Sequence, residues 1–157
     1  NTWINEFVSW LEWNLNQLSF NLSDGPDIKE VVEVLRDRSK SLVDMAQNCL
    51  MFYHDLKDFD SDLAIKFFHL ESRPVLVDLL INLETLELWS SEHIHEVIQS
   101  ICESRNIGFG KVGQPFRLAI SGDGRAGSID KSAQLVGKER VLLRLKMAID
   151  WIDNLPL

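Results

Sequence analysis

The sequence predicts an all-α fold, on three observations. Apolar residues recur three and four apart in nearly every segment, as one face of a helix requires. No segment alternates polar and apolar residues long enough to demand a strand. The breaks carry helix-start chemistry: Asp24-Gly25-Pro26, Arg73-Pro74 and Ser90. The chain has 157 residues, 45% hydrophobic and 25% charged. That suffices for one core, or for two small helical subdomains sharing an interface.

The elements follow in order. Trp3, Trp10 and Trp13 recur at helical spacing. Such residues can stack on bases, but packing in a core or between domains is their commoner use. After Asp24-Gly25-Pro26, an apolar stripe runs through Ile28, Val31, Val32 and Leu35. If the helix continues through Leu42, Arg38 lies at the stripe's margin, with Glu30, Glu33 and Asp37 opposite it. Leu42, Ala46 and Cys49 repeat the period. Asp55, Asp58, Asp60 and Asp62 form an acidic loop that should cap a helix, since no EF-hand glycine follows. Arg73-Pro74 opens a helix carrying Val75, Leu76, Leu79, Leu80 and Leu83. Ser90 is the expected N-cap of the next, with Glu92 in its first turn and Ile94, Val97, Ile98, Ile101 and Cys102 as its stripe. Pro115 fits the first turn of a helix with Val112, Phe116, Ala119 and Ile120 on its apolar side. A glycine-rich loop at 122–127 precedes a last helix through Val141, Leu142, Leu145, Ala148, Ile149 and Ile152. A soft boundary near Leu86–Ser91 predicts subdomains 1–88 and 89–157.

Charge divides the chain. Residues 105–146 hold nine Lys/Arg against three Asp/Glu, while residues 1–104 hold seven against nineteen. A local surplus of +6 can form a phosphate-binding face inside a chain whose net charge is −8. No apolar run approaches the roughly 20 residues that span a bilayer, so no membrane partner is expected. The start shows no signal-peptide pattern, and opening on Asn1 suggests a fragment. Cys49 and Cys102 read as reduced, buried thiols of a cytoplasmic protein. No metal site is expected, because no nearby His or Cys has ligand spacing. The run Gly108-Phe109-Gly110-Lys111-Val112-Gly113 matches GxGxxG literally, but it lies in helical context without a βαβ unit. His93 and His95 diverge on one helix. No constellation of nucleophile, base and orienting group is present, so no catalytic residue is expected.

RNA chemistry is better served. Arg117, two residues after Pro115, offers a planar fork that can bond base edges or stack on a base. The helix N-terminus expected there would add free N–H groups. Arg38, held at a core margin, would aim its head in a fixed direction. Arg140 and Arg144 lie four apart on one helix, with Lys138 before them and Lys131 and Arg125 near the preceding loop. These five are phosphate-contact candidates, whose affinity would be salt-sensitive and sequence-blind. For each, a solvated surface charge is the bland alternative.

Four blocks carry a family resemblance: SDGPDIKEVVEVLRDRSKSLVDMAQNC (23–49), FYHDLKDFDSD (52–62), GKVGQPFRLAISG (110–122) and VGKERVLLRL (136–145). In order and spacing they resemble the C-terminal anticodon-binding region of bacterial glutamyl-tRNA synthetase, over about residues 22–153. That family is a class I aminoacyl-tRNA synthetase, which activates glutamate with ATP and Mg²⁺ and esterifies it to tRNA. HIGH-like and KMSKS-like motifs are absent from this sequence. The resemblance therefore implies a helical anticodon-binding region that is inactive alone and needs no cofactor of its own. It implies tRNA for glutamate and the enzyme's own catalytic domain as partners, and a monomer. By the same resemblance Arg38 reads the third anticodon base and helps reject glutamine tRNA. Arg117 contacts the first two bases, and Ile129 packs against them. Two positions depart: Ala126-Gly127 replaces a frequent Ser-Pro, and Leu50 replaces a common arginine. The rival reading is a helical protein-interaction module without RNA binding.

Overall fold

The computed structural model describes residues 5, 8–10, 13, 25–36, 49, 52–53, 56–124 and 127–156. Every regular element among them is helical. In chain order they are α1 (Ile28–Leu35), α2 (Ser61–Phe67), α3 (Ser72–Glu84), α4 (Ser91–Arg105), α5 (Phe109–Ser121), α6 (Ile129–Val136) and α7 (Lys138–Asp153).

Local chemistry starts and stops these helices. The Asp27 carboxylate accepts from the N–H of Lys29 and opens α1. The Asp60 carboxylate accepts from the N–H of Leu63, so the acidic loop caps α2 as expected. The Ser90 hydroxyl accepts from the N–H of His93 at the head of α4. Asn106 ends α4 in the left-handed region at φ 52°, and the next N–H returns to the carbonyl of Cys102. Asn tolerates that conformation because its short polar side chain bonds locally.

The buried faces are the apolar stripes. Val31, Val32 and Leu35 of α1, Leu76, Leu79 and Leu83 of α3, Ile94 and Ile98 of α4, and Val141, Leu145 and Ala148 of α7 join one core. Phe59 meets Phe68 edge-on at 5.0 Å. Helix α3 packs chiefly on α7, and α5 touches α2, α3, α4, α6 and α7. The Arg73 guanidinium grips the Asp153 carboxylate at 2.6 Å and 3.2 Å, joining the start of α3 to the end of α7. Contacts thus run straight across the boundary expected near residues 86–91. The Lys138 ammonium donates to the Leu86 carbonyl, and the Trp89 indole N–H to that of Ala133. No helix among the described residues is long and apolar enough to cross a membrane.

Two expectations fail here, and Trp10 and Trp13 turn out not to serve this chain's own core. Helix α5 begins six residues before Pro115, which lies inside it. The proline removes one backbone donor, and burial of Val112, Phe116, Ala119 and Ile120 offsets that loss. Trp10 and Trp13 are 38% and 61% exposed, which leaves packing between domains as the use that fits them. Buried Val8 claims the core side, and two residues on, at 100° each, Trp10 turns well away from it. Arg144 is only 2% exposed, and its Nη1 donates to the Ile120 carbonyl at 2.6 Å. It closes the C-terminal turn of α5, where carbonyls lack helical donors.

Arg144→Ala should therefore cost about 3 kcal/mol in urea unfolding, through an unsatisfied carbonyl and a cavity; a change near zero would refute this role. Burial pushes the Cys49 thiol up to about 12, and desolvation also raises the thiol of Cys102. Stabilisation by the neutral Cys49 thiol should be full below about pH 9, its ordinary range, and lost as pH rises toward 12. Cys49→Ala should remove that part of the alkaline dependence, read by unfolding at pH 8, 9 and 10.

Candidate functional site

The corner where α5 passes into α6 gathers several of the residues singled out by sequence. Arg117 lies in the third turn of α5, half-buried, with its Nε shielded from solvent. Its carbonyl accepts from the Ser121 hydroxyl at 2.7 Å, and that hydroxyl accepts from the N–H of Gly124 at 2.8 Å. The turn carrying Arg117 is thereby tied to the loop that follows.

Two glycines dock that loop. Gly122 sits at φ 79°, a conformation that disfavours side chains. Its N–H bonds the Leu118 carbonyl at 2.7 Å, and its own carbonyl accepts from the N–H of Asp60 at 2.8 Å. At Gly127 a Cβ would lie 2.7 Å from the Val34 carbonyl, so only glycine lets the loop approach α1 so closely. Past it, Ile129 opens α6 and is 4% exposed. Its side chain contributes to the core in this state. Arg38, Arg125, Ala126 and Leu50 lie outside the described residues.

The remaining cations divide. Buried Arg144 cannot reach a phosphate, so its expected contact role is corrected to the structural one above. Lys138 and Arg140 are half-buried, and each places one donor on a backbone carbonyl, of Leu86 and Phe52. Arg105 is engaged with Asp78 at 2.5 Å. Lys131 is exposed on α6. Four of the nine cations in the 105–146 stretch thus serve the fold, while Lys111, Lys131 and Lys146 are exposed. The arginine fork of α5 also loses its expected helix N-terminus, which lies two turns away at Phe109.

Among the described residues, no group of three or more His, Cys, Asp or Glu could hold a metal. The Gly108–Gly113 run forms the cap and first turns of α5, preceded by a helix rather than a strand. His93 bonds Ser90 at 2.6 Å and His95 bonds Asp130 at 2.8 Å, so the two imidazoles serve different neighbours. Sequence reasoning did not mark the His95–Asp130 pair, which ties α4 to the first turn of α6. Its partners are 35 residues apart, and no local pattern signals it.

A model of the anticodon binding domain family matches residues 4–149. The chain is 49% identical over 148 residues to a glutamate–tRNA ligase of Vesicomyosocius okutanii subsp. Calyptogena okutanii (strain HA), covering 94% of this chain and 32% of that protein. It is 45% identical over 150 residues to a glutamate–tRNA ligase of Ruthia magnifica subsp. Calyptogena magnifica, covering 96% and 33%. The chain thus spans about a third of the curated relatives it matches. A crystal structure of a glutamate tRNA ligase from Elizabethkingia meningosepticum, in complex with its amino acid, superposes with a TM-score of 0.83 at 20% identity. That match covers 95% of this chain and 29% of the other, and it speaks to fold alone.

Exposed Lys131 and buried Arg144 should separate stability from binding. Lys131→Ala should shift the unfolding free energy by under about 0.5 kcal/mol, as exposed substitutions do. It should also flatten the salt dependence of RNA affinity by about one unit of slope. An unchanged slope removes Lys131 from the contact surface.

Proposed function

We propose that this chain, which belongs to the anticodon binding domain family, is the anticodon-recognising part of a cytoplasmic glutamate–tRNA ligase. The observation that carries the reading is its 49% identity with such a ligase along 94% of its own length. The remaining two-thirds of the enzyme would join glutamate to tRNA using ATP and Mg²⁺. The described residues offer neither metal-ligand clusters nor a strand-to-helix phosphate loop. By the family resemblance those groups would belong to the catalytic domain, with which this chain would work as a monomeric unit.

Its task is discrimination. Anticodon bases are single-stranded and can be splayed, stacked and hydrogen-bonded at their edges. Arg117 would meet the first two bases. Its backbone is fixed through Ser121 and its stem is half-buried, so little freedom remains to be lost on binding. Ile129 would supply an apolar contact at the corner, and Arg38 would test the third base. Phosphates would be held by Lys131 and Arg125, with Lys138 and Arg140 beside them.

Five tryptophans allow a fluorescence titration with glutamate tRNA beside a third-base variant, at two salt concentrations. Salt-weakened binding that prefers the cognate anticodon is expected. Arg117→Ala should cost about 1–3 kcal/mol of affinity, and Arg38→Ala a similar amount of third-base preference. Folded protein that binds neither RNA, while a complex forms with another protein regardless of salt, would favour a protein-interaction module instead.

A further inference from the structure

Helices α1 and α6 face each other across a groove of about 560 Å³. One wall is Glu30, Glu33 and Val34, three and four apart on α1. The other is Ser128, Lys131, Gln134 and Leu135, at the matching helical interval from the head of α6. Both sets lie away from the core stripes of their helices. The close approach of Gly127 to the Val34 carbonyl brings the loop before α6 against α1 at one end of the groove.

The walls differ in hydrogen-bonding character. Ionised Glu30 and Glu33 only accept. Opposite them, Gln134 has its Oε1 occupied by the N–H of Ser91 at 2.8 Å, which orients its amide. Its NH₂ donors are then left for other partners, beside the Lys131 ammonium. Val34 and Leu135 give apolar contact for a ring. Carboxylates repel phosphates, so a nucleotide entering here must turn its backbone toward Lys131 and its base edge toward α1. A base with an exocyclic amino group fits, because its N–H₂ meets the glutamates while its ring or carbonyl acceptors meet Gln134 or Lys131. Uracil offers the glutamates only its N3–H, flanked by two carbonyl oxygens that the carboxylates repel, and so fits less well.

We propose that the α1–α6 groove is a subsite for an unstacked, amino-bearing base of the anticodon loop, with Glu30 and Glu33 as its specificity-determining residues. The proposal deepens the anticodon reading and rests on it.

The test is binding of glutamate tRNA transcripts in which each amino-bearing base of the anticodon loop is replaced in turn by uracil. The proteins are the unmutated chain, Arg117→Ala and the double variant Glu30→Ala, Glu33→Ala. Both glutamates are exposed on a helix, where alanine favours folding. The unmutated chain should lose about tenfold affinity at one replaced position, the worth of one good base contact. The double variant should lose that preference while its affinity for the uracil transcript holds or rises. A double variant that binds all transcripts more tightly by one common factor, with the preference intact, would show that the glutamates act only as repelling charge and would overturn the subsite. So would an unmutated chain that binds, is weakened by Arg117→Ala, and tolerates uracil everywhere. Failure of the unmutated chain to bind any transcript would instead bring down the anticodon reading itself, and the subsite with it.

Discussion

The end of α5 depends on a cation inside the core. A helix leaves its last carbonyls without donors and with partial negative charge. In most helices water serves them. Here the end of α5 is packed against α7, and the Arg144 guanidinium takes the place of water at the Ile120 carbonyl. A buried guanidinium is costly unless its donors are used, so the contact restrains both helices. The loop leaving α5 inherits that position, and through Gly122 and Gly127 it reaches α2 and α1.

This arrangement changes what the basic stretch is for. Read as composition, residues 105–146 suggest a broad electropositive face. Folded, the cations at 138, 140 and 144 serve backbone carbonyls of other segments, and the one at 105 binds an acid of the other half. The acidic N-terminal half thus lies beside the basic half. A protein of net charge −8 that spends several cations of its basic stretch inside the fold has limited capacity for sequence-blind attraction. Affinity in such a molecule must come from short-range complementarity, which favours selectivity over grip. The groove between α1 and α6 has that character, with acceptors on one wall and donors on the other.

Much of the fold was legible in sequence because the physics that makes a helix is local. The apolar intervals of α1, α3, α4 and α7 coincide with buried faces, and Ser90 and Asp60 cap helices as their chemistry requires. Where reading failed, a longer-range term won. Pro115 looked like a helix start, yet packing on five neighbouring helices carries α5 through it. Arg144 looked like a surface charge because its spacing from Arg140 marked one face, but Arg140 is only half-buried while Arg144 is enclosed.

The candidate site shows the same division. The sequence by itself determined the helical class, the apolar stripes and the caps, because each is set by neighbours within one or two turns of chain. Only the tertiary structure decided which cations remain open, how close the 122–128 loop comes to α1, and that Glu30, Glu33, Lys131 and Gln134 line one groove. The physical reason is distance along the chain. These relations join residues dozens to a hundred positions apart, and they arise only when burying the stripes brings the helices together.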